Sequence, residues 1–94
     1  MKILKTSRFL DELDVIVDFI AEDSVSQALI FLDKLENTVY LLTDTPYRCR
    51  ESRKSNDVNV REWVFMGYVV PYRVNKEKSR IEVIGIFSAN EWKM

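Results

Sequence analysis

Histidine is missing from these 94 residues, and Cys49 is the one cysteine. An internal disulfide, a structural zinc site and any Ser-His or Cys-His dyad are therefore excluded. Glycine and proline occur twice each, and no repeat, linker or low-complexity segment interrupts the chain. No window reaches the eighteen or so uncharged residues that a membrane span needs. The two lysines of Met1 to Lys5 are followed by Asp11, Glu12 and Asp14 rather than by the apolar run of a secretory leader. The expectation is a cytoplasmic chain with a reduced Cys49, no membrane partner, no metal and no cofactor.

What remains is 47% hydrophobic. A chain of this length buries roughly 60 to 70% of its unfolded surface on folding, enough for one core, so residues 1–94 read as a single domain. The net charge of -1 hides a division. Residues 1–45 hold four basic and nine acidic side chains, a net of -5, whereas residues 46–94 hold ten basic and six acidic ones, a net of +4. Such asymmetry suits a basic face offered to nucleic acid or to an acidic protein segment; different surface compositions of helix and sheet would give the same totals.

Lys2 to Lys5 reads as a short strand stopped by Thr6 and Ser7, both good helix N-caps. Phe9, Leu13, Ile16 and Ile20 form the apolar stripe of a helix over about 7–22. Ser24 and Gln27 form a capping box that starts a second helix, whose inner face is Ala28, Phe31, Leu32, Leu35, Val39 and Leu42 and which Thr43 to Pro46 ends. Tyr47 to Asp57 lacks periodicity and reads as a basic surface loop. Val58 to Phe65, Tyr68 to Val74 and Ile81 to Phe87 read as three strands of an antiparallel meander, with Met66-Gly67 as a tight turn and Pro71 placed at an edge or bulge. The order β-α-α-β-β-β predicts an α+β fold, a helical hairpin packed on a mainly antiparallel sheet.

Asp11, Asp14, Asp18 and Glu22 share one column of the first helix, which reads as a solvated face with a docking role for a basic partner as the lesser alternative. Arg48, Arg50, Arg53 and Lys54 are the densest basic cluster, and Tyr47 precedes them, a combination that suits phosphates and stacked bases or, equally, local salt bridges. In the next segment Arg61 alternates with Trp63 and Phe65, opposite Val60, Glu62 and Val64. Either set faces the helices: in one arrangement Arg61 stands among exposed aromatics as a contact surface, in the other Trp63 and Phe65 form core and Arg61 snorkels to the rim. Arg73 either meets Arg61 in a positive groove or pairs with Glu62 or Glu82. No residue has an unperturbed pKa near seven, so catalysis has no visible signature and no catalytic residue is assigned. The positive side chains of the later half are expected to converge on one recognition site.

Val60 to Val74, which includes Arg61-Glu62 and Pro71-Tyr72-Arg73-Val74, followed by Ile81 to Ile86, resembles the strand core of the RelE/ParE toxin superfamily of type II toxin-antitoxin modules. The resemblance spans nearly the whole chain and is strongest to the ParE and plasmid-stabilisation branch. It implies a toxin neutralised by a cognate antitoxin. ParE-like members act on DNA gyrase, whereas RelE-like members are ribosome-dependent endonucleases that cut mRNA. Val69 stands where the nucleases typically carry arginine, and Ser88 to Trp92 departs from their closing basic segment. These departures favour the ParE-like reading. They also leave an attenuated, non-toxic antitoxin-binding module as an alternative, because Asn90 replaces a position that is basic in many members. The residues expected to meet target or nucleic acid are Arg48, Arg50, Arg53, Lys54, Arg61, Arg73 and Trp92.

Overall fold

A computed structural model describes residues 1–89. Trp92, like Asn90, lies outside the described residues. Strand β1 (Lys2–Lys5) leads into helix α1 (Ser7–Asp23) and helix α2 (Val25–Asp44). Strands β2 (Arg50–Glu51), β3 (Val60–Phe65), β4 (Tyr68–Asn75), β5 (Arg80–Val83) and β6 (Phe87–Ser88) follow. The sheet runs β1-β5-β4-β3-β2, with β6 paired to β4. All pairings are antiparallel except that of β1 with β5, which is parallel. The two helices cover one face, giving the α+β architecture expected from the sequence.

Thr6 caps α1: its hydroxyl oxygen accepts from the Phe9 N–H at 3.1 Å, and its O–H donates to the Ile84 carbonyl at 2.9 Å. One side chain thus starts the helix and ties it to the sheet. Ser24 accepts from the Gln27 N–H at 3.2 Å and starts α2. The core lies between the helices and one face of the sheet, where Phe9, Phe31, Leu35, Val39 and Leu42 meet Trp63, Phe65, Val70, Tyr72, Val74, Ile81 and Val83. Phe31 packs edge-on against Phe65 and Tyr68, with ring centroids 5.3 and 5.7 Å away. Leu32, at the margin of the stripe, is only half-buried.

Three elements differ from the sequence reading. The segment read as loop contains β2, which pairs Arg50 with Glu62 and Glu51 with Arg61; a two-residue edge strand carries no periodicity to detect. Ile81 to Phe87 is two strands rather than one. Glu12 of α1 accepts from the Ile86 N–H at 3.2 Å in the interval between them, and a Cβ at Gly85 would stand 2.5 Å from that carboxylate. Glycine admits the helix side chain, and the strand breaks there. Pro71 lies in the central strand β4, not at an edge, yet the break accommodates it. β5 pairs Tyr72–Asn75 and β6 pairs Tyr68–Val69, so the missing N–H of Pro71 falls where the neighbouring strand changes, and only its carbonyl is used, accepting from Ile84. The Met66-Gly67 turn is as expected, both residues having positive φ (48° and 85°), the two-residue hairpin geometry that matches strand twist.

Candidate functional site

Register decides which side chains share a face. Arg61, Trp63 and Phe65 stand opposite Tyr72, Val70 and Tyr68 and point towards the helices, so Trp63 and Phe65 are core, while Val64 is exposed. Arg61 lies at the end of this inner row. Its guanidinium donates to the carbonyls of Val58 (3.0 Å) and Cys49 (3.1 Å) and stacks over the Tyr47 ring at 4.9 Å. Lys76 lies 5.3 Å from the same ring. Arg61 thus clasps both ends of the 49–58 segment. Arg48 is on the same side, lining a cleft with Leu41, Leu42 and Trp63.

Arg73 is on the opposite face, beside Val60 and Glu82 in the register. It donates to Asp57 at 3.2 Å and to Glu82 at 3.5 Å. The Asp57 carboxyl is held below its usual range by the Asn59 backbone N–H first and by Arg73 next. Glu82 is lowered mainly by Arg80, which donates at 2.8 Å, with help from Asn75. The expected convergence is therefore corrected: Arg61 and Arg48 belong to the helix side, and Arg50, Lys54 and Arg73 to the outer side. A one-residue offset along a strand reverses the face, and the β3–β4 register pairs Arg61 with Tyr72 rather than with Arg73.

The outer side is organised around Glu62. Its side chain is fully buried and accepts from Arg50 Nε at 3.0 Å, Ser52 Oγ at 3.3 Å and the Arg53 backbone N–H at 3.1 Å. A carboxylate withdrawn from water is tolerated only with such partners. The consequence is positional: one strand residue holds the start of the basic segment against the sheet. The Arg53 and Lys54 side chains, next in sequence to this latch, are exposed. Next to it opens a groove of about 500 Å³, floored by Val60, Pro71, Ile84 and Phe87 and flanked by Arg8 and Lys54. Arg8 sits 4.9 Å above the Phe87 ring. The site is thus an apolar floor between cationic banks, the chemistry of a surface for an acidic or phosphate-bearing partner with apolar side chains.

Arg8, Glu62 and Phe87 were not among the residues expected from the sequence. Glu62 carried a usable signal, a lone carboxylate at an alternating strand position between Val60 and Val64. Arg8 carried none, since only the packing of α1 brings it to Phe87. Trp92 falls outside the described residues.

Residues 3–91 match the family model described as the ParE toxin of the type II toxin-antitoxin system, parDE. The chain belongs to the ParE toxin family. A solved structure, described as a chromosomal ParDE toxin-antitoxin system from P. aeruginosa, matches with a TM-score of 0.72 at 21% identity, covering 94% of this chain and 95% of that one. At that identity the likeness supports a ParE-like fold. A search of curated proteins gives no match. Among the described residues, no helix is long and apolar enough to cross a membrane.

Proposed function

We propose that this ParE-family chain is the cytoplasmic toxin of a type II module, that it inhibits DNA gyrase without catalysing a reaction itself, and that a cognate antitoxin neutralises it. The observation that carries the proposal is the family match over residues 3–91. The outer sheet face supports it, since Arg8 and Lys54 flank an apolar floor there and Arg50 and Arg73 stand on the same face. Arg61 contributes to the fold of the segment, and Arg48 lies on the helix side, away from that surface.

Side-chain chemistry also favours binding over cleavage. General acid-base catalysis works best with groups that titrate near the operating pH. The shifted groups here move away from neutrality: Asp57 and Glu82 downwards, and Tyr72 upwards because of burial first and Cys49 next. The antitoxin is expected to bring carboxylates to the cationic groove while filling its apolar floor.

The test is a supercoiling assay with purified chain and DNA gyrase, run beside toeprinting of translated mRNA. The proposal expects inhibited supercoiling with trapped, cleaved DNA, and relief on adding antitoxin. New mRNA cleavage sites with untouched gyrase would overturn it in favour of a ribosome-dependent nuclease. Inactivity in both assays, with normal growth on induction, would leave an antitoxin-binding module.

A further inference from the structure

Helix α2 turns Ala28, Phe31, Leu35, Val39 and Leu42 into the core, yet it also carries four large apolar side chains on its outer side. Leu29, Ile30, Tyr40 and Leu41 are 62, 44, 65 and 52% exposed. They form two adjacent pairs at equal distances before and after Leu35. At about 100° per residue, Ile30 and Tyr40 stand about 40° from the line opposite Leu35, and Leu29 and Leu41 about 60° from it. Ile30 and Leu41 share one flank of that line, Leu29 and Tyr40 the other. The pattern therefore reads alike from either end of the helix. Ser26, Asp33, Asn37 and Asp44, all exposed, occupy the line itself. The four apolar side chains leave on the order of 400 Å² open, the size of the largest and often functional patch on a monomer.

A face with that symmetry is complementary to a second copy of itself, and charge sets the direction of pairing. We infer that two copies of the chain pair through α2, antiparallel, about a two-fold axis level with Leu35. Ile30 then meets the partner's Leu41, and Leu29 meets the partner's Tyr40. Asp33 faces the partner's Asn37, a neutral amide, and Asp44 lies beside the partner's Ser26 in the first turn of its α2. That turn carries no acidic residue of its own, so the incoming carboxylate answers the positive end of the helix dipole. Parallel pairing would bury the same apolar side chains but set Asp33 against Asp33 and Asp44 against Asp44, and like charges in contact oppose it. Lys34 stands on the flank, exposed, where its long stem keeps the ammonium in water. With the polar line included, the face covers on the order of 700 Å² per copy, close to one side of a standard interface. The helices and the cationic groove lie on opposite sides of the sheet, so pairing leaves that groove open on both copies. The inference goes beyond the proposed function and needs neither gyrase nor an antitoxin.

The experiment is sedimentation velocity of the full chain over about 1 to 100 μM. A species of twice the 11.1 kDa chain mass is expected to grow with concentration. Ile30→Glu with Tyr40→Glu is expected to raise the dimer dissociation constant at least about tenfold while circular dichroism stays native, since both side chains are exposed. Direction is read by cross-linking in a Cys49→Ser background. Ile30→Cys chains mixed with Leu41→Cys chains are expected to join on oxidation, whereas Ile30→Cys chains alone are not, because antiparallel pairing holds the two copies of position 30 about 15 Å apart along the axis. A monomer throughout the range, a dimer indifferent to the double glutamate variant, or Ile30→Cys chains that join each other would overturn the inference. So would a monomer whose α2 face gains hydrogen-exchange protection only on adding antitoxin, since the occupant would then be the antitoxin. Failure of gyrase inhibition leaves these measurements unaffected, so the two readings fail separately.

Discussion

Replacing Glu62 tests how the basic segment is held. The carboxylate is fully buried and serves three donors: the Arg50 guanidinium, the Ser52 hydroxyl and the Arg53 N–H. Glu62→Ala strands a nearly buried hydroxyl and a backbone N–H, while Arg50, 44% exposed, regains water. Each lost bond to a charged group is worth about 1.5 to 3 kcal/mol, but burying the carboxylate opposes their sum, so a net loss of about 3 kcal/mol is expected. For a domain of this size that lowers the melting temperature by about 10 to 25 °C. Glu62→Gln retains one carbonyl for Ser52 and Arg53 and turns its amide towards Arg50, so its cost is smaller, about 1 to 2 kcal/mol. Urea unfolding at neutral pH measures both, and hydrogen exchange at Arg53 reports the segment directly. If Glu62→Ala lies within about 0.5 kcal/mol of the parent, the range of an ordinary surface change, the latch does not exist.

Three other changes follow from the same contacts. Gly85→Ala forces the Glu12 carboxylate away from a Cβ 2.5 Å distant and breaks its bond to Ile86, a loss of about 1 to 2 kcal/mol by thermal unfolding; unchanged stability would show that the strand break has another cause. Arg61→Ala removes two bonds to loop carbonyls and the stack on Tyr47, and is expected to cost about 2 kcal/mol in urea while leaving target affinity of the folded protein unchanged. Tyr72 has its pKa raised by burial and donates to the Pro46 carbonyl at 2.7 Å. Its protonated form stabilises the fold fully below the unfolded tyrosine pKa of about 10, and that stability falls as pH rises beyond it, because the unfolded state loses its proton first. Tyr72→Phe is expected to flatten the alkaline limb of a stability–pH profile, and an unchanged slope would refute the assignment.

The helices were legible because their apolar periodicity, the Thr6 and Ser24 caps and the proline after α2 agree with one another. The hairpin of β3 and β4 was equally plain from Met66-Gly67. Strand pairing that depends on distant contacts was not. Nothing local to Ile81 to Phe87 reports that Glu12, more than seventy residues earlier, reaches into the interval and splits it. The candidate site was legible in composition and illegible in geometry. Alternation separated Arg61 from Val60 and Glu62, but the face given to Arg73 relative to Arg61 depends on the β3–β4 register. Once that register is known, the cations expected in one place divide between a clasp on the helix side and a surface on the other. The groove beside Arg8 depends on the docking of α1, which is a tertiary fact.

The most direct measurement is the dose of purified chain that halves gyrase supercoiling, compared between the parent and Arg53→Glu with Lys54→Glu. Both side chains are exposed, so the fold should survive the change. Inhibition by the parent is expected, with a rise of at least about tenfold in the dose for the double variant, as charge reversal at a cationic contact surface requires. A parent that leaves supercoiling untouched, or a double variant as potent as the parent, would contradict it.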